Sequence, residues 1–283
     1  MDYYIVIPAH NEALFLNDTL QSIVAQTLLP KKVIIVNDNS TDATETIIDT
    51  FTASHSFFKK LNNSSSNEHL PGSKVINAFS KGLDLLDDQY DFIVKLDADV
   101  ILPIIYFEQI AYIFKGNNKT GIAGGFIYEK NTKGEWKLNH PMHKKHVRGA
   151  FKAYSKACFE AIGGLKSAMG WDTVDELLAQ FHGFDIITQE SLYIKHLRPT
   201  GKAYNQKAKL LQGKAMFTMR YGFFITLIAS LKMAWKQQKA NAFFDNMNGF
   251  FKAKKAKTSY LVSPIEGNFI RCLRWKGIKK QLF

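Results

Sequence analysis

Three apolar runs constrain this chain most, because each breaks off into polar and acidic residues: "YYIVIPAHNE", "VIIVNDNSTDATE" and "FIVKLDADV". A strand buried on both faces of a parallel sheet reads as continuous Val and Ile, and ligands of open α/β sheets bind beyond the carboxyl ends of such strands. Between the runs, apolar residues recur at helical spacing: Leu16, Leu20, Ile23 and Val24, then Ile47, Ile48 and Phe51. That alternation predicts βαβ units with right-handed crossovers and a parallel sheet. A short strand near residues 57–61, the polar loop "NNSSSNEHLPGS" and a helix through Val75, Ala78, Phe79, Leu83 and Leu86 carry the pattern to a strand from Phe92 to Leu96. Later strand-like runs are "GIAGGFIY", "GAFKAYS" and "SLYIKHL", and "WDTVDELLAQF" starts a helix.

The polar ends raise the question of function. Asp42, with Glu45 three residues on, has the form of a capping box for the next helix. Capping accounts for Asp42 and leaves Asp38 as a candidate ligand contact. Asp97 and Asp99, at i and i+2 just past a buried strand, project to one side of the sheet's edge. There they can hold one hard divalent cation whose other positions stay open to phosphate oxygens. An ordinary Asp-rich turn is the alternative, although such turns usually bring Gly, Asn or Pro, and here the chain runs on into "VILP".

The 283 residues, 46% of them apolar, suffice for a packed core of one large or two modest domains. Cys158 and Cys272 lie far apart without ligand spacing, so they are expected to be buried free thiols in a cytoplasmic protein. The opening residues have no basic start before a short apolar segment, so no secretory leader is expected. The net charge of +12 implies an anionic partner. From Lys195 onward the only acids are Asp245 and Glu266. That region mixes Phe, Met and Trp with Lys at helical spacing. Its longest largely apolar stretch, Tyr221 to Leu231, is far short of the roughly 20 residues a bilayer crossing needs. It reads as helices lying on an anionic membrane, or as helices packed on the core with a solvated lysine face. No nucleic-acid-binding module is recognisable, so nucleic acid is not an expected partner.

Taken together, "IVIPAHNEALFLNDTLQSIVAQT", "VIIVNDNSTDAT", "KLDADV", "GSKVINAFSKGLD" and "RGAFKAYSKACFEAIGGL" resemble the inverting family 2 glycosyltransferases over residues 1 to about 200. The resemblance implies the GT-A fold, a Rossmann-like, mostly parallel α/β sheet flanked by helices. It divides residues 1–200 into a donor half (1–100) and an acceptor half (101–200), with 201–283 as a basic helical C-terminal extension. By the same resemblance, Pro8, Ala9, Asn11 and Glu12 seat the nucleoside, Asp38 reads its base or ribose, and Lys74 approaches the nucleotide. For Glu12 a helix N-terminal acid favoured by the dipole is the plain alternative. Asp97, Ala98 and Asp99 form the family's D-x-D, with Mg²⁺ or Mn²⁺ on Asp97 and Asp99. Arg148, Gly149 and Trp171 fall on the acceptor side, and His196 and Arg198 near the diphosphate or metal.

Family members carry Gly-Glu-Asp at the start of a helix before a Gly-aromatic pair, and that Asp takes the acceptor's proton. Here the stretch is "GWDTVDELLAQFHGF", so Asp172 falls on the base position and Trp171 stands where Glu is usual. Thr173 and Glu176 form a capping box that leaves Asp172 just outside the helix, with Asp175 as the rival base. The Gln-x-x-Arg-Trp motif of processive synthases is missing, so one sugar is added per event. The implied activity is transfer from a nucleotide-diphosphate sugar, UDP-linked by preference, to an acceptor hydroxyl of a glycan or lipid-linked intermediate in exopolysaccharide or cell-envelope synthesis. The implied place is the inner face of the cell membrane. The alternative is a nucleotide-sugar-binding protein of the same fold without transfer activity.

Overall fold

The computed structural model describes residues 1–65, 72–139, 146–198 and 206–282. From the amino terminus, β1 (Tyr3–Ala9), α1 (Leu16–Val24), β2 (Lys32–Asp38), α2 (Thr44–Ser54), β3 (Phe58–Asn63), α3 (Ser73–Leu83) and β4 (Phe92–Leu96) alternate as the sequence predicts. These four strands pair in parallel in the order β3-β2-β1-β4. The side chains of Tyr3 to Ile7 and Val33 to Val36 are wholly buried, which is why those strands are apolar without alternation.

Next come β5 (Val100–Ile101), α4 (Tyr106–Gly116), β6 (Thr120–Lys130), β7 (Trp136–Leu138), β8 (Phe151–Ser155), α5 (Lys156–Ala161), α6 (Trp171–Phe181) and β9 (Asp185–His196). The sheet continues from β4 as β8-β6-β9-β5, with β7 pairing the far end of β6. Here β8 runs against both neighbours and β5 against β9, while β9 is parallel to β6. Only residues 97–99 separate β4 from β5, a link that reaches at most about 14 Å. They nevertheless join the fourth strand of the order to the last. The strands between must therefore curl back toward the carboxyl end of β4, and the D-x-D sits at that closure.

The remaining chain forms α7 (Gln206–Thr218), α8 (Gly222–Gln237), α9 (Ala240–Lys255) and α10 (Pro264–Leu282). Met216, Met219, Tyr221, Ile225, Val262 and Ile270 are buried in the same core as the sheet. Phe269 of α10 meets Phe181 of α6 edge-on, with ring centroids 5.6 Å apart. None of the helices among the described residues is long and apolar enough to cross a membrane. Helices α7 and α9 touch backbone to backbone at two glycines. A Cβ added at Gly213 would lie 1.8 Å from the Asn246 carbonyl oxygen, and one at Gly249 would lie 2.1 Å from that of Leu210. Gly249→Val is therefore expected to destabilise the protein by about 1–3 kcal/mol or more in urea unfolding, and wild-type stability would contradict this packing.

Several local expectations differ from what is found. Glu45 caps nothing: it binds Lys60 and Asn62 of β3, both at 2.9 Å. Cys158 is buried, which pushes its thiol up to about 12, but Cys272 is exposed. The polar loop over 62–73 and the junction at residue 200 lie partly outside the described residues.

Candidate active site

The carboxyl ends of β1 and β2 are laced together by side chains. Pro8 and Ala9 close β1, and Asn11 follows in the left-handed region at φ +55°. Its Oδ1 accepts the Thr41 N–H at 2.8 Å, and its own N–H donates to Ser40 Oγ at 3.1 Å. The Glu12 N–H donates to Thr44 Oγ1 at 2.8 Å, and Asp42 accepts the N–H groups of Ala13 and Thr44 at 3.1 and 3.0 Å. Asp42 thus fastens two turns rather than closing a capping box. Asp38, at the end of β2, is buried. Its Oδ1 accepts from Asn63 Nδ2 (2.8 Å) and the Ser65 N–H (3.1 Å), and its Oδ2 from Ser65 Oγ (2.8 Å). In this arrangement Asp38 pins the chain after β3 against the carboxyl end of β2. Lys74 lies half-buried in the first turn of α3.

At the closure of the sheet, antiparallel pairing brings a distant segment to the D-x-D. Val100 stands opposite His196, and the Leu197 N–H donates to the Asp99 carbonyl at 2.8 Å. His196 Nε2 consequently lies 3.5 Å from Asp99 Oδ1, while Nδ1 is held by Glu129 Oε1 at 2.9 Å. Arg198 pairs with Glu12 and places its Nε 3.6 Å from Asp99 Oδ2. Burial pushes the Glu12 carboxyl up to about 7; Arg198 opposes the rise, and Asp99 and Asp97 add to it. Burial lowers His196, but Asp99 and Glu129 outweigh it and hold the imidazole above its ordinary value. Ala98, between the two acids, is buried, and its carbonyl accepts Thr19 Oγ1 at 2.8 Å.

Among the described residues, no three His, Cys, Asp or Glu side chains gather into a metal cluster. The donor chemistry nevertheless fits a hard divalent ion. Asp99 and His196 face each other, and a carboxylate on Nδ1 orients the imidazole as it does in metal-ligating histidines. The Asp97 carboxylate is paired with Lys95.

That pairing connects the D-x-D to strand β8. Lys95 of β4 and Lys152 of β8 are direct cross-strand partners, both buried. The Trp171 ring lies beside the two ammonium groups, 5.1 and 5.9 Å from its centroid. Trp171 itself is buried. Gly149, after the half-buried Arg148, is required there, since a Cβ would lie 2.6 Å from the Trp171 ring and 3.3 Å from Asp172 Cβ. The next residue, Ala150, accepts the Asp97 N–H at 2.7 Å. Residues 148–150 therefore join Asp97 to the amino terminus of α6.

Asp172 lies within the first turn of α6, not outside it, and its side chain is 33% exposed. Its carbonyl accepts Lys152 Nζ at 2.6 Å. His146 Nε2 stands 3.9 Å from Asp172 Oδ2 and has no hydrogen-bond partner among the described residues, while its Nδ1 meets Glu176 Oε2 at 3.0 Å. Glu176 also accepts the Val147 N–H at 2.9 Å, so it forms no capping box with Thr173. Asp175 is enclosed. It is 1% exposed and binds Lys152 at 2.9 and 3.0 Å and the Tyr154 hydroxyl at 2.5 Å. Sequence reasoning missed Lys95, Lys152, His146 and Glu129; the one signal was a lysine inside each of the apolar runs "FIVKL" and "AFKAY".

Residues 4–168 match the family described as Glycosyl transferase family 2. No curated protein matches the chain. Among solved structures, similar folds include S. aureus TarS 1–349 in complex with UDP-GlcNAc, 15% identical, with 89% of this chain and 73% of that one covered and a TM-score of 0.58. The mannosyltransferase PcManGT from Pyrobaculum calidifontis, in complex with GDP-Man and Mn²⁺, is also 15% identical, with 99% and 80% covered and a TM-score of 0.59. GalNAc-T7 with UDP, GalNAc and Mn²⁺ is 14% identical, with 76% of this chain and 47% of that one covered and a TM-score of 0.59. At such identities the likeness is one of fold.

Proposed function

Because the chain belongs to glycosyl transferase family 2, we propose that it moves a sugar from a nucleotide-diphosphate donor to an acceptor hydroxyl with inversion. The observation that carries this reading is the single cleft edge where Asp99, His196, Arg198 and Glu12 converge and to which residues 148–150 tie Asp172. The turn from Pro8 to Glu12 and the edge behind Asp38 seat the nucleoside, UDP by preference, with Lys74 alongside. Asp99, His196 and Asp97 would hold Mg²⁺ or Mn²⁺, with Lys95 giving up Asp97. When bound, the ion supplies positive charge for the departing diphosphate. Arg198 adds a fixed cation on the same side. Asp172 accepts the proton of the incoming hydroxyl, from the face opposite the leaving group. Its partial exposure supports that role, and the burial of Asp175 supports the choice between them. One sugar is added per event, and the acceptor is a glycan or lipid-linked intermediate at an anionic membrane face, which suits the basic C-terminal helices.

Asp99→Ala tests the donor side. Wild-type affinity for a nucleoside diphosphate is expected to rise with Mn²⁺ and fall with a chelator, and the variant is expected to lose that response while keeping its fold. Identical titration curves with metal and with chelator for the wild type would overturn the metal assignment.

A further inference from the structure

The C-terminal helices present a face that the transfer reaction does not use. On α8, Phe224, Ile228, Leu231 and Trp235 recur at i, i+4, i+7 and i+11, which places them on one stripe along the helix. That stripe faces outward: Phe224 is 66%, Leu231 53% and Trp235 81% exposed. A helix of a water-soluble surface does not usually leave such a row uncovered.

At the amino-terminal end of α8 opens a cavity of about 330 Å³ between α7, α9 and the start of α10. Its walls combine aromatic rings, among them Phe223, Phe251 and Tyr260, with three cations, Arg220, Lys254 and Arg271, and include no carboxylate. Arg220 stacks on the Tyr260 ring at 3.5 Å and uses Nε on the Val262 carbonyl. Arg271 donates to the Arg220 carbonyl and to Asn268. Both guanidinium groups are thus fixed in place with their charge uncompensated by any acid in the wall. Phe223 lies 6.1 Å from Phe251 at the cavity's rim, and both rings are about half exposed. The surroundings carry the same sign, since residues 201–283 contain 17 of the chain's 37 Lys and Arg but two of its 25 Asp and Glu.

We propose that this face docks on an anionic phospholipid bilayer, with the Phe224–Trp235 stripe entering the interface and the aromatic, cationic cavity taking a lipid phosphate. Apolar side chains in line beside a ring-walled cluster of cations match the two layers of such a surface, acyl boundary and phosphate. A purely apolar partner would leave the three cavity cations without counter-charge, and a free anion would leave the stripe uncovered. The inference names the surface for the membrane contact in the reading above and does not depend on the donor site.

The test uses the full chain with vesicles of phosphatidylglycerol and of phosphatidylcholine. Wild-type protein is expected to co-sediment with the anionic vesicles at least about tenfold more strongly than with the neutral ones, and less as salt rises. The double change Leu231→Glu/Trp235→Glu, on exposed positions, is expected to reduce binding to the anionic vesicles by about tenfold or more, and Lys254→Glu by a smaller factor. Brominated lipid is expected to quench tryptophan emission in the wild type and to quench it less in Trp235→Phe, a readout that needs no disruptive substitution. Binding of nucleoside diphosphate in the same variants should be unchanged, which separates failure here from failure of the donor site. Equal binding to both vesicle types, or no loss in the double variant, would overturn the proposal. So would a wild-type dimer that Leu231→Glu/Trp235→Glu turns into monomer, or inorganic phosphate bound at the cavity by a protein that ignores vesicles.

Discussion

Asp172→Asn is expected to lower sugar transfer by about 10²–10⁴-fold while leaving donor affinity near that of the wild type. The amide keeps the size of the side chain and its place in the first turn of α6, where Lys152 holds the Asp172 carbonyl and Gly149 packs against its Cβ. What it loses is the ability to take a proton. Asp175→Asn should behave differently, because that side chain is enclosed by Lys152 and Tyr154. Its cost should appear as reduced stability, with the remaining folded protein still active. Single-turnover transfer, measured beside urea unfolding for both variants, separates the two roles. A stable but inactive Asp175→Asn together with an active Asp172→Asn would move the base and contradict the geometry.

The second large effect lies beneath the cleft. Lys152→Met is expected to cost about 3–5 kcal/mol of unfolding free energy, because it leaves Asp175 and Glu176 facing each other without their shared cation. Burial alone would lower the Lys152 pKa, but Asp175 and Glu176 hold it above its ordinary value, so the ammonium is charged in the folded state. Adding Asp175→Leu to Lys152→Met should recover part of the loss, since removing both partners removes the uncompensated charge. Simple addition of the two single-variant costs would mean that the residues do not act as a pair. Lys152 also binds the Asp172 carbonyl, so Lys152→Met should reduce transfer through the position of α6.

The chain from β1 to β4 was legible in the sequence because its information is local. The apolar runs of β1, β2 and β4, interrupted only by Lys95, lead into the polar residues found at the sheet edge: Asn11, Glu12, Asp38, Asp97 and Asp99. The chain from β5 to β9 was less legible because its contacts are made by strand pairing across long separations. Nothing in "YIKHLRP" says that Val100 will pair with His196, and that pairing is what sets His196 and Arg198 against Asp99. Lys95 and Lys152 were overlooked for a physical reason: a lone lysine is usually solvated, and only the carboxylates brought in from Asp97 and α6 make burial tolerable. The two capping boxes failed alike. Glu45 and Glu176 sit at the right spacing, but lysines on neighbouring strands attract them more strongly than their own helix termini do.

The most direct measurement of the central claim is release of nucleoside diphosphate from a panel of UDP- and GDP-linked sugars, followed with Mn²⁺ and with a chelator, in the absence of acceptor. Slow, metal-dependent release into water is expected from one donor class, lost in Asp99→Ala and strongly reduced in Asp172→Asn. Folded protein that binds no donor in the panel, or that releases the diphosphate equally well with chelator, would contradict it.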